Sequence, residues 1–111
     1  MENTNEFEKG IKFSFNETIN YADKAVVSKQ ILKQQKGNIT LFALDKGEGI
    51  SEHKTPFDAL VNVVDGKADI IIDGQSNILE AGESIIMPAN IPHALQAIEK
   101  FKMVLTMIKS E

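Results

Sequence analysis

From Asn38 onward, apolar residues fall in short blocks separated by turn residues. Ile39 to Leu44 ends at Asp45-Lys46-Gly47, Ala59 to Val64 at Asp65-Gly66, and Ala68 to Ile72 at Asp73-Gly74. Asp-Gly pairs reach the positive φ values that tight hairpins need, so this stretch predicts a meander of strand, turn, strand, turn, strand. Further blocks follow at Ile78-Leu79, Ser84 to Met87, His93 to Ile98 and Phe101 to Ile108. In the last, Phe101, Met103, Leu105 and Met107 alternate onto one face. Many short strands at this spacing predict an all-β sandwich or barrel. Asp23 to Gln35 reads either way: Val27 and Ile31 are four apart as in a helix, but its β-branched residues favour a strand. Residues 1–10 read as frayed, so residues 1–20 are expected to form a partly ordered arm and residues 21–111 the barrel.

Composition narrows the function more than the fold. At 111 residues the chain holds one domain. Its net charge of −4 is a poor match for nucleic acid or an anionic membrane surface. No apolar run is long enough for a membrane-spanning helix. Met1 to Gly10 is polar, without the pattern of a secretory signal, so a cytoplasmic location is expected. Cysteine is absent, which removes disulfides, thiolate metal sites and cysteine nucleophiles together. All basic residues are lysine, so bidentate clamping of phosphate or carboxylate by arginine is not available. There is no Gly-x-Ser-x-Gly elbow and no phosphate-binding loop.

The chemistry that remains centres on two histidines. His53 follows Gly47-Glu48-Gly49-Ile50-Ser51-Glu52 in a loop before the Ala59 block, and His93 follows Pro88-Ala89-Asn90-Ile91-Pro92. Both stand at strand entrances, where barrel mouths place ligand-binding groups. A lone histidine is more often structural than a ligand, but the surrounding spacing makes this pair more specific.

Gly47, His53, Thr55, Ala59 and Gly66 keep the spacing of the first motif of the cupin superfamily; Gly82, Pro88, Asn90, His93 and Ala97 keep that of the second. Over residues 47–97 the chain resembles a small single-domain cupin. The resemblance implies a double-stranded β-helix, or jelly-roll barrel, with a pocket at one mouth. It also implies metal ligands at the positions of His53, Thr55, Ala59 and His93, where cupins typically carry His, His, Glu and His. Here Thr55 and Ala59 replace two of the four, and Asn90 and Ala97 replace the Gly and Asn of the second motif. Residues 53, 55 and 59 share one strand face, as do 93, 95 and 97. Glu52, Asp58 and Gln96 have the opposite parity, although a bulge near His53 could turn Glu52 inward.

The expected pocket therefore comprises His53, Thr55, Phe57, Ala59, His93, Leu95 and Met103, with the Met and Phe positions better suited to closing the core. Its expected use is binding a small molecule. The alternative is a metal-dependent isomerase, decarboxylase or dioxygenase in which His53 and His93 hold one divalent transition metal, an incomplete ligand set. Small cupins commonly pair, so a homodimer is expected, with Val26 to Leu32 at its edge.

Overall fold

The computed structural model describes residues 7–109. Its strands are β1 (Val26–Gln34), β2 (Gly37–Leu44), β3 (Gly49–His53), β4 (Phe57–Ile72), β5 (Gln75–Glu80), β6 (Ser84–Met87) and β7 (His93–Lys109). One helical turn, α1 (Phe15–Thr18), precedes them. The ambiguous Asp23–Gln35 stretch is strand β1, as its β-branched residues favoured. All pairings are antiparallel in the order β1-β2-β7-β4-β5, with β3 on β7 and β6 on β4.

The two longest strands make the barrel. The first half of β4 pairs with β6 and the second with β5, and both halves lie along β7. Near the middle, Gly66 pairs with Phe101 but Ala68 with Ala97, so one residue of β4 faces three of β7. Such a mismatch bends a ribbon and increases its twist. The bend folds the β4–β7 ribbon over, and both halves contribute to one core: Val61, Val63 and Met103 with Ala68, Ile70, Leu79, Leu95, Ala97 and Phe101. The result is a jelly-roll, or double-stranded β-helix.

Two expectations are corrected at this bend. Asp65-Gly66 is not a hairpin turn, because strand β4 runs through it. The blocks His93 to Ile98 and Phe101 to Ile108 are likewise one strand, β7. At Asp73-Gly74 both residues have positive φ, 52° and 80°, and Ile72 pairs with Gln75 across a two-residue hairpin. At Asp65-Gly66 only the glycine does, with φ 83°. One left-handed residue makes a bulge; two in succession make the turn.

A second core lies outside the barrel. Phe7 and Ile19 of the arm pack with Ile31, Leu41, Ala43 and Val104. Polar ties hold the same segment: Asn16 Nδ2 donates to the Val64 carbonyl (3.3 Å), Lys102 Nζ to Asn16 O (2.6 Å) and Lys29 Nζ to Thr18 O (2.8 Å). The Tyr21 hydroxyl donates to Asp65 at the bend, and burial followed by the Asp65 carboxylate pushes its pKa well up. Residues 7–20 of the expected arm, with Tyr21, thus hold the outer face closed over its apolar side chains; residues 1–6 lie outside the described residues. Among the described residues no helix is long and apolar enough to cross a membrane.

Candidate functional site

The end of β3 meets the start of β7 at the barrel mouth, farthest from the bend. There His53 and His93 are cross-strand partners. Their ring centroids are 4.4 Å apart and their planes cross at 72°, edge to face. His53 is exposed, whereas His93 beneath it is 4% exposed. The two histidines converge, as their motif spacing implied.

Each ring is fixed in the same local way. His53 Nδ1 lies 2.8 Å from the carbonyl of Ser51, and His93 Nδ1 lies 3.3 Å from the carbonyl of Ile91, in both cases two residues back. A carbonyl oxygen can only accept, so each Nδ1 carries a proton, and in the neutral form of either ring Nε2 is the nitrogen that keeps a lone pair. Burial holds the His93 pKa below the usual imidazole range, the neighbouring His53 adds to this, and the Ile91 hydrogen bond opposes both. His93 is therefore neutral at pH 7. Its Nε2 has no hydrogen-bond partner among the described residues, yet no buried side-chain nitrogen or oxygen there is left sealed without one. Nε2 therefore keeps contact with solvent although the residue is buried.

The other expected site residues divide into rim and core. Thr55 is half-buried in the loop between β3 and β4. Its hydroxyl accepts from Phe57 N (3.0 Å) and donates to Phe57 O (3.3 Å), while its carbonyl accepts from Asn90 N (2.7 Å). Thr55 thus staples the two mouth loops together. Phe57 is half-buried at the rim, where it pairs with Lys109. Ala59, Leu95 and Met103 are buried in the inner core, 1%, 3% and 0% exposed. All three belong to one inner core cluster.

The bulge in β3 is present: Ile50 pairs with Leu95 and His53 with His93, leaving Ser51 and Glu52 opposite Ala94 alone. Glu52 nevertheless stays exposed. Asp58 is occupied, its Oδ1 accepting from Ala89 N (2.8 Å), and Gln96 Nε2 donates to Gly47 O (3.1 Å). Among the described residues no group of three His, Asp or Glu could hold a metal ion. The donors available are two imidazole nitrogens; the Thr55 hydroxyl is engaged and Ala59 has none to offer. This set does not fit a tightly held divalent metal, which usually takes three or more protein ligands.

Sequence reasoning missed Ile50 and Ile72, while Met107 was already on the alternating face of the last strand. Ile72 is the cross-strand partner of His93 on the β4 side, Met107 faces Ala59, and Ile50 adjoins Leu95. All three are partly buried against the inner core. The signal for Ile72 lay in the Asp73-Gly74 hairpin, which sets residues 68, 70 and 72 on the inner face. The motif positions are also explained physically: Gly47, Gly66 and Gly82 all have positive φ, and so does Asn90, at 66°. Asparagine is among the few residues that tolerate this conformation, so Asn90 can stand where cupins carry glycine.

Residues 40–109 match the family model described as the cupin domain. The chain belongs to the cupin family. Among solved structures, a conserved protein of unknown function from Streptococcus pyogenes is similar at 36% identity and TM-score 0.91, covering 100% of this chain and 97% of that one. A cupin 2 conserved barrel domain protein from Leptotrichia buccalis is 40% identical with TM-score 0.85, covering 87% of this chain and 47% of that chain. A cupin superfamily protein from Desulfitobacterium hafniense shares the fold at 24% identity, TM-score 0.87 and 94% and 95% coverage. No curated protein matches the chain.

Proposed function

We propose that this cupin binds a small molecule in the mouth of its barrel, with His53 and His93 as polar anchors. The observation that carries the reading is the pair itself: two imidazoles 4.4 Å apart, each oriented by its own backbone carbonyl, at the mouth of a barrel with an apolar core. Small-molecule sites are mostly hydrophobic with a few convergent polar groups. Ile50, Ile72, Met107 and Phe57 supply the apolar wall. The alternative, a metal-dependent isomerase, decarboxylase or dioxygenase, has less support, because Thr55 and Ala59 stand where two ligands are needed. A fragment screen followed by NMR tests the binding reading. Fragments should shift the methyl signals of Ile50, Ile72 and Met107 together with the two imidazoles. A screen whose hits all map elsewhere refutes it.

The same proposal includes a homodimer. β1 is an edge strand with Val26 and Leu32 exposed. A row of outer-face residues, Leu32, Ile39, Thr106, Leu60 and Ile86, crosses five strands in register. Leu32, Leu60 and Ile86 are 39%, 36% and 60% exposed, an apolar stripe of the kind that marks protein interfaces. Sedimentation at micromolar concentration should give a dimer, and Leu60→Lys should shift it to monomer. A monomeric native chain removes this part.

A further inference from the structure

The protonation pattern of the histidine pair points to the kind of ligand the mouth takes. The two carbonyl contacts are independent of each other: Ser51 O lies in β3, and Ile91 O lies in the loop before β7. Both nevertheless place a ring proton on Nδ1, where a backbone carbonyl holds it. With both rings neutral, the pair presents two lone pairs and no hydrogen. The Thr55 hydroxyl spends its proton on Phe57 O. A ligand that can only accept therefore finds no donor at the pair. Approaching it would set like dipoles against each other and cover the Nε2 of the buried His93 without giving it a partner, which is costly.

We infer that the mouth selects a neutral ligand that donates hydrogen bonds, a ring or short chain carrying two hydroxyl or N–H groups on an apolar body. This rests on the reading of the mouth as a small-molecule site. The apolar body is set by the wall of Ile50, Phe57, Ile72 and Met107, and the two donors by the two Nε2 atoms. Discrimination by buried polar groups is strong when the wrong ligand leaves them unpaired. Lys109, which pairs with Phe57 at the rim, gives anions an attraction of their own, so the distinction is best read with uncharged probes.

Resorcinol and 1,3-dimethoxybenzene supply the comparison. They share a ring and two oxygens, placed about as far apart as the imidazole centres, and differ in having or lacking donors. Titration followed by NMR should show resorcinol binding about tenfold tighter, the difference expected from one to two net hydrogen bonds. It should also move the Nε2 nitrogen signals of both histidines. His53→Phe keeps an exposed aromatic ring in place and removes one lone pair. It should weaken resorcinol about fivefold, in keeping with one lost hydrogen bond, and leave dimethoxybenzene unchanged. If dimethoxybenzene shifts the mouth signals as tightly as resorcinol, or if His53→Phe leaves resorcinol unaffected, the donor preference is overturned while the mouth remains a binding site. If neither probe shifts any mouth residue, the small-molecule reading falls and takes the donor preference with it.

Discussion

Gly66 offers the sharpest test of how the barrel closes. It sits in the bend of the β4–β7 ribbon with φ 83°, and a Cβ built on it would lie 1.8 Å from the Lys100 carbonyl oxygen and 2.7 Å from the Phe101 Cα. Both obstacles are backbone, so a rotamer change cannot relieve them. Gly74 has nearly the same φ, 80°, but nothing within 4 Å of its Cβ position. Alanine at Gly74 therefore meets only the left-handed conformation, about 1–2 kcal/mol, partly offset by stiffening the unfolded chain. Alanine at Gly66 meets the same cost and must also push β7 away by more than an ångström. That breaks ladder hydrogen bonds, each about 1 kcal/mol, and disturbs Phe101, which is fully buried. The expected loss for Gly66→Ala is about 4 kcal/mol, a large share of the roughly 5–15 kcal/mol of a typical domain. At about 5 °C per kcal/mol this lowers Tm by roughly 20 °C, against about 5 °C for Gly74→Ala. Circular-dichroism melts of the two variants side by side measure the difference, and the unfolded-state contribution largely cancels. Equal Tm values would show that the bend does not depend on this close approach.

Three further outcomes follow from the same geometry. Ile19→Ala should cost about 2–4 kcal/mol by urea denaturation, because Ile19 is fully buried in the outer core; a loss under about 0.5 kcal/mol would mean that the arm adds nothing to the fold. His93 has its pKa lowered in the folded state, so between the folded and unfolded values the unfolded chain binds more protons and stability rises with pH. Stability should accordingly fall as the pH drops below about 6.5, the ordinary imidazole value, and this slope should flatten in His93→Phe; parallel melts at pH 8 and pH 5.5 that change equally in both proteins would refute it. Added nickel or zinc at about 100 μM should leave Tm within about 1 °C, since a dissociation constant near 1 μM would instead add about 2.7 kcal/mol. A shift of 10 °C or more that disappears in His53→Ala would show that the pair holds metal after all.

The fold was legible where local chemistry decides and illegible where register decides. Alternation put Phe101, Met103, Leu105 and Met107 on one face of the last strand but left open whether that face or the other turns inward; the structure sets it on the inner core. The two Asp-Gly pairs look identical in sequence, yet one closes a hairpin and the other bends a continuous strand. What separates them is the φ of the aspartate, set by the strand each residue pairs with, which no dipeptide encodes. Ile98 to Phe101 did contain a clue: it has no Gly, Pro or Asn, and a chain reversal there would have lacked turn residues. The arm was under-read because Phe7 and Ile19 are isolated along the sequence. They gain partners only from strands folded beneath them.

The site shows the same division. Motif spacing placed both histidines at the mouth, and parity kept Asp58 and Gln96 out of it, where the structure finds them bonded to loop backbone. Spacing could not say what the histidines present to the opening. That depends on which ring nitrogen faces a carbonyl, and on Ser51 and Ile91 lying at the right height two residues upstream. The replacement of two ligand positions then acquires a chemical consequence. With His and Glu at residues 55 and 59, lone pairs on four side chains would converge on a cation. With the Thr55 hydroxyl bonded to Phe57 and Ala59 buried in the inner core, only the two imidazoles remain of the four ligand positions. Thr55→His with Ala59→Glu reverses that change and should restore metal binding, read as a metal-dependent rise in Tm of roughly 10 °C at about a hundredfold excess over the dissociation constant. The double variant should also lose preference for uncharged donors, because its mouth would then carry a carboxylate or a bound cation. If it folds but binds no metal, residues 53, 55, 59 and 93 do not point to a common centre, and the geometry inferred for the mouth is wrong.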